Sequence, residues 1–186
     1  MELKQLMQKF HSKILLFGEY SIIQNSMGLS IPFNQYEGIM NFADLKSATD
    51  VQKESNKSLR KFYVYLRRKQ FLGELLADLD LFHFREDLKK GLYFDSNIPQ
   101  GFGVGSSGAL CAAVYDRYAA RKISKDNITN EQMPELKKMF SQMESYFHGT
   151  SSGMDPLICY LNIPVLIENR TNLGAINLPK SVEEGK

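Results

Sequence analysis

The chain has 186 residues, 43% hydrophobic and 24% charged, with 23 Lys and Arg against 21 Asp and Glu, a formal net charge of +2. That length suits one domain or a little more, and the composition is that of an ordinary soluble globular protein. So slight a positive excess gives nucleic acid or an anionic membrane little hold as a main partner, and no apolar run approaches membrane-spanning length. Cys111 and Cys159 both lie in apolar stretches and read as reduced core residues of a cytoplasmic protein.

In chain order, residues 1–11 are amphipathic and say little, and Lys13–Phe17 is a short, almost wholly apolar strand ended by Gly18-Glu19-Tyr20. Ser21–Ile23 is a second apolar piece, a turn is expected at Gln24–Ser26, and Leu29–Phe33 and Tyr36–Ala43 read as two further strands. Asp44–Lys57 is polar and predicts a surface loop or hairpin. From Leu59 to Leu81, Phe62, Tyr65, Leu66, Leu72, Leu75, Leu76 and Leu79 recur at helical spacing, with Arg60, Arg67, Arg68 and Lys69 as a solvated face. Phe82–Lys90 fits either helix or strand, and Gly91–Asp95 predicts a strand leading into the stretch Asn97–Leu110. After that stretch a helix rich in small residues runs over Ala109–Arg121, and Asp126–Asn130 breaks it. Thr129 or Asn130 then caps a helix over Glu131–Phe147, with Pro134 tolerated in its first turn. Thr150–Pro156 predicts a turn before Leu157–Leu161, and Pro164–Glu168 a closing strand.

The stretch Asn97–Leu110 reads N-I-P-Q-G-F-G-V-G-S-S-G-A-L. Its alternating Gly101, Gly103 and Gly105 allow backbone angles closed to other residues and a close approach of a ligand. Ser106 and Ser107 fall where a helix begins, with unpaired N–H groups and the positive end of the dipole facing out, a natural cradle for phosphate. There is no Gly-Lys-Ser/Thr ending, which excludes a Walker loop. Gly103 to Gly108 spells G-x-G-x-x-G, but the nearest acidic residue at dinucleotide spacing, Asp126, sits in a polar turn rather than at a strand end. A glycine-rich connection that merely caps a helix is the plain alternative.

The longer string P-x-G-x-G-x-G-S-S-G-A-L, from Pro99 to Leu110, resembles the central motif of the GHMP kinases, small-molecule kinases named for galactose, homoserine, mevalonate and phosphomevalonate. The segment S-K-I-L-L-F-G-E-Y, followed by a strand ending I-P-F, resembles the first motif of the mevalonate kinase form, and E-S-Y-F-H-G-T-S-S-G-M-D, with Glu144 and Asp155, resembles its metal and substrate segment. Taken alone, Asp155 before Pro156 reads as a helix N-cap and Glu144 as a surface glutamate. The three matches stand in the family's chain order.

The resemblance implies ATP and Mg²⁺. Nucleotide would be held by Pro99, Gly101, Gly103, Val104, Gly105, Ser106, Ser107, Gly108 and Ala109, and Mg²⁺ by Glu144 and the hydroxyl of Ser107, with Ser106 as the alternative ligand. Hard oxygen ligands suit that cation. The alcohol substrate would meet Lys13, Glu19, Tyr20 and Asp155. Asp155 would accept or orient the proton of the attacking hydroxyl while Lys13 stabilises the developing negative charge. Tyr20 stands where mevalonate kinases usually carry histidine, and a phenol donates a hydrogen bond without carrying positive charge.

The implied fold is α+β, the GHMP kinase N-terminal domain shared with a ribosomal protein domain, a mixed sheet packed against helices over residues 1–186. Past Asp155 nothing matches the family's second, C-terminal lobe, so the chain reads as an N-terminal lobe, with the surface facing the missing lobe, or an open strand edge near Pro164–Glu168, favouring self-association. The implied activity is ATP-dependent phosphorylation of mevalonate in isoprenoid biosynthesis. Phosphomevalonate, galactose and homoserine kinases are alternatives, as is a non-catalytic nucleotide- or RNA-binding module, although no loop concentrates the basic and aromatic residues that RNA binding needs.

Overall fold

In a computed structural model, the structure describes residues 8–18, 27–129, 131–167 and 173–175. Among these residues five strands, β1 (Phe10–Phe17), β2 (Gly28–Phe42), β3 (Leu92–Ser96), β4 (Val165–Ile167) and β5 (Leu173–Ala175), form one sheet. Among the described residues five helices pack with it: α1 (Asp50–Phe71), α2 (Leu81–Lys89), α3 (Ser106–Tyr118), α4 (Gln132–His148) and α5 (Met154–Leu161). The class is α+β, as expected. Every described pairing is antiparallel, in place of the mixed sheet that the resemblance implies.

β2 organises the sheet. Its residues Leu29–Gly38 pair with β1, while on its other edge Gly28–Ser30 pair with β4 and Gly38–Phe42 with β3. The sequence predicts two strands here, broken between Phe33 and Tyr36; the chain instead runs through as one. The break exists as a bulge. Ser12 faces Phe33 and His11 faces Glu37, so Asn34, Gln35 and Tyr36 have no partner on β1. A bulge bends a strand without ending it. β4 lies between β2 and β5, so the expected open edge near Pro164–Glu168 is not there.

The polar stretch expected as a loop also differs. α1 begins at Asp50, inside it, because Thr49 and Gln52 form a reciprocal capping box: the Thr49 hydroxyl accepts from the Gln52 amide, and the Gln52 side chain accepts from the Thr49 amide at 2.9 Å. Propensity and capping carry this first turn, since its residues bury little. The helix ends at Phe71, so Leu75, Leu76 and Leu79 belong to the connection that follows rather than to one long helix. Phe82–Lys90, of open type in the sequence, lies almost wholly within α2, whose N-cap Asp80 accepts from the His83 amide. Thr129 and Gln132 repeat the reciprocal pair before α4.

α3 is the hub of the core. Its small residues Gly108, Ala109, Ala112 and Ala113 are buried, which lets α5 and the sheet approach closely. Aromatic contacts fill the wider gaps: Tyr115 meets Phe140 and Tyr160, and Phe62 of α1 meets Tyr146 and Phe147 of α4. Both cysteines are buried and unpaired, as the sequence predicts. Among the described residues no helix is long and apolar enough to cross a membrane.

The capping box yields a direct test. Thr49→Ala removes the side-chain acceptor at the head of α1 and is expected to cost about 0.5–2 kcal/mol, read as a lower urea midpoint at unchanged slope. A wild-type midpoint would show that α1 does not depend on its cap.

Candidate active site

The site is assembled around the first turn of α3. Gly101, Gly103 and Gly105 all have positive φ, and Gly105, at φ 85, is the N-cap with no side chain of its own to cap the helix. The first intrahelical bond runs from the Ala109 amide to the Gly105 carbonyl at 2.9 Å, leaving the amides of Ser106, Ser107 and Gly108 at the helix's open, electropositive end. Ala109 itself is fully buried and its amide is already engaged, so it supports the loop from below. Val104 ties the loop to β1, its carbonyl accepting from the Lys13 amide at 3.0 Å. Pro99 is half-buried, while Gly101 and Gly103 are exposed at the loop's outer turn.

Gly108 is forced by what lies against it, and Gly105, required by its positive φ, is also closely packed. A Cβ on Gly105 would stand 3.0 Å from Lys13 Cγ and 3.4 Å from Cys159 Sγ. A Cβ on Gly108 would stand 2.7 Å from the Asp155 carbonyl carbon and 2.9 Å from Asp155 Cβ, backbone and near-backbone atoms that cannot swing aside. The absent side chains are what bring β1, α3 and α5 together.

Where they meet, Lys13 Nζ lies 3.0 Å from Asp155 Oδ1. Lys13 is 8% exposed, a buried cation that requires a partner, and Asp155 supplies it. Asp155 is not the N-cap that its place before Pro156 suggests. Gly153, with φ 76, is the N-cap of α5, and Asp155 stands inside the first turn.

Residues 105 and 108 share the face of α3 that meets Lys13 and Asp155; Ser107 reaches a different partner, Glu144 of α4. The Ser107 hydroxyl donates to Glu144 Oε1 at 3.0 Å and lies 3.0 Å from His148 Nε2, while the Ser151 hydroxyl donates to Glu144 Oε2. Glu144 is 4% exposed, a buried carboxylate rather than the surface residue that its helical position alone suggests. Burial pushes its pKa above the ordinary value; the charge of Asp155 adds to the rise, and the hydroxyls of Ser151 and Ser107 oppose it. Among the described residues no three His, Cys, Asp or Glu side chains gather as a metal site. One carboxylate with hydroxyl oxygens beside it fits a hard cation that takes its remaining ligands from phosphate oxygens and water.

Beside this group opens a cavity of ≈ 1020 Å³. Its walls are the start of α1, the end of β3, Gln100 and Gly101 of the loop, Ser106, Ser107 and Leu110 of α3, and Phe147 and His148 of α4. Lys13 and Asp155 do not line it; they lie against the Gly105 and Gly108 face. Thus Lys13, Asp155, Ser107 and Glu144 gather around one helical turn. Glu19 and Tyr20, predicted on the substrate side, lie outside the described residues. Ser151 and His148 stand within the E-S-Y-F-H-G-T-S-S-G-M-D segment but are given no site role by the sequence reading, which also does not anticipate the contribution of α1 to the cavity.

Residues 69–162, half of the chain, match the family model described as the GHMP kinases N terminal domain. The chain belongs to the GHMP kinases. Among solved structures, the mevalonate kinase of Methanococcus jannaschii superposes with a TM-score of 0.54 at 15% identity, over 92% of this chain and 55% of that one. The mevalonate kinase of methicillin-resistant Staphylococcus aureus MRSA252 gives 0.51 at 19% identity, over 91% and 54%. That of L. major, a complex with R-mevalonate, gives 0.51 at 18%, over 91% and 52%. At these identities the likeness is one of fold, and this GHMP kinase chain spans just over half the length of the structures it matches. A search of curated proteins found no match.

The raised pKa of Glu144 sets a pH dependence. The native state holds this proton more tightly than the unfolded chain, so the group's contribution to stability is fully present below the ordinary carboxylate value of 4.5 and is lost as pH rises through the raised value. Glu144→Gln removes that loss. Urea unfolding from pH 4 to 7 is expected to show the variant gaining stability relative to wild type as pH rises. Parallel curves would mean that the carboxyl titrates alike in both states.

Proposed function

We propose that the chain is the nucleotide-binding, catalytic lobe of an ATP-dependent kinase whose phosphoryl acceptor is an alcohol, with mevalonate the first candidate. The observation that carries the reading is the 3.0 Å Lys13–Asp155 pair, set one helical turn from an open helix N-terminus and from the Ser107–Glu144 pair. Phosphoryl transfer asks a protein chiefly for positioning and charge stabilisation, and these four side chains divide that work.

The amides of Ser106, Ser107 and Gly108, with the loop before them, receive the phosphates of ATP. The cavity beyond them has the volume of a small-molecule site and receives the nucleoside. Glu144 and Ser107 hold Mg²⁺, which when bound neutralises phosphate charge. Asp155 takes up or orients the proton of the acceptor hydroxyl, and Lys13 fixes the carboxylate and offsets charge on the attacking oxygen. A solved relative holds R-mevalonate, which makes mevalonate the first alcohol to try; Tyr20, in place of the usual histidine, is the residue most apt to alter that choice.

The test is ATP-dependent phosphorylation of mevalonate, phosphomevalonate, galactose and homoserine by the longest form of the protein. Asp155→Asn keeps size and polarity but leaves buried Lys13 without its counter-charge, so its urea midpoint is measured beside its turnover and rates are compared only under conditions where the variant is folded. Turnover of the folded variant is expected to fall by about 10²-fold or more, the range of a lost acid–base group. A near-wild-type rate in that variant would remove Asp155 from the reaction.

A further inference from the structure

His148 is the last residue of α4 and is exposed, yet its Nε2 lies 3.0 Å from the Ser107 hydroxyl oxygen. With Glu144 ionised, as cation binding requires, counting protons gives the direction of that contact. The Ser107 hydroxyl has one hydrogen, and it is donated to Glu144 Oε1. The bond to His148 must therefore be donated by the imidazole, from Nε2–H, into one of the two lone pairs on the serine oxygen. One lone pair is left. Glu144 is fixed in turn from its other side by the Ser151 hydroxyl, so the serine cannot escape by moving with a mobile carboxylate.

Resting on the kinase reading above, we propose that His148 is a positioning residue for the divalent cation carried by the nucleotide: its Nε2–H holds the Ser107 hydroxyl so that the remaining lone pair is presented to the ion. The imidazole stays outside the coordination sphere, because Nε2 is used as a donor and a hard cation prefers oxygen. Groups that orient a ligand in this way contribute substantially to metal affinity. Ser107 and His148 both line the cavity beside the open helix end, so the bond lies where the cation and its phosphates would meet the protein. A competing role exists, since a histidine in the last turn also interacts with the helix dipole. α4 has its own terminator, however: Gly149, at φ 74, donates its amide to the Ser145 carbonyl at 2.8 Å. A dipole role would change stability and leave metal affinity alone.

The experiment measures Mn²⁺ affinity by electron paramagnetic resonance on the 186-residue chain with a non-hydrolysable ATP analogue, and so does not depend on turnover. His148→Asn and His148→Gln are compared because both are polar at an exposed position and both donate an N–H, but only the longer amide has the reach of Nε2. His148→Asn is expected to weaken Mn²⁺ by about 10- to 100-fold and His148→Gln to stay within about threefold of wild type, at unchanged urea midpoints. Equal affinities in the two variants, whether both wild-type or both lost, would overturn the proposal. Glu144→Gln separates this failure from that of the reading beneath it. If Glu144→Gln weakens Mn²⁺ while His148→Asn does not, the metal pair stands and His148 does not serve it. If the wild-type chain takes up no Mn²⁺ with the analogue, or Glu144→Gln has no effect, both fall together.

Discussion

Between the first turns of α3 and α5 there is no room for a side chain, and the rest of the site depends on that contact. The Gly108 Cα hydrogen occupies the place where a methyl group would stand 2.7 Å from the backbone of Asp155. Because the two helices touch there, the carboxylate of Asp155 falls within ion-pair distance of Lys13, whose side chain packs closely against the bare Gly105. A buried lysine without its partner is costly, so the pair and the packing sustain each other. The same glycine-rich turn leaves its amides open for anions. Packing and chemistry are served by the same missing atoms.

Glu144 shows the opposite economy. A carboxylate taken out of water raises the free energy of the ionised native state, and the serine hydroxyls on its two oxygens offset only part of that cost. Such an arrangement makes little sense as a stabilising device. Under the proposed function it is a charge held in readiness for a cation, with its direction fixed before the cation arrives.

Much of this was legible in the sequence, and the limits are physical. The phosphate loop declares itself because its requirements, positive φ and close approach, are met by residue type alone, at Gly101 to Gly108. Strand β1 and helix α3 are equally plain from their apolar and small-residue runs. The Lys13–Asp155 pair spans most of the chain, and no local pattern joins its members; only the family resemblance does. The burial of Glu144 is invisible for the same reason, since Ser145 and Ser141 beside it read as surface. Errors fall where local signals conflict. Asn34–Tyr36 separates the two predicted strands, but the pairs at Phe33 and Glu37 on either side carry β2 through it as a bulge. Thr49 and Gln52 form a readable capping box that was outweighed by the polarity of the segment around it. Membership of the family and the fold are established by the match over residues 69–162 and the superpositions; the substrate-side residues Glu19 and Tyr20 lie outside that match and outside the described residues.

The cavity draws its outer walls from the head of α1 and the end of β3, whereas Lys13, Glu144 and Asp155 come from β1, α4 and α5 and take no part in its lining. Only Ser106, Ser107 and His148 stand at the junction of the two. The surfaces that would distinguish one nucleoside from another are thus encoded in a different stretch of chain from the groups that would move the phosphoryl. Drift in Asp50–Ser58 or Tyr93–Ser96 can reshape the chamber without disturbing a single bond of the Lys13–Asp155 or Ser107–Glu144 pairs. The architecture is modular at the scale of a few side chains, so under the proposed function donor preference and transfer chemistry would be free to evolve at separate rates.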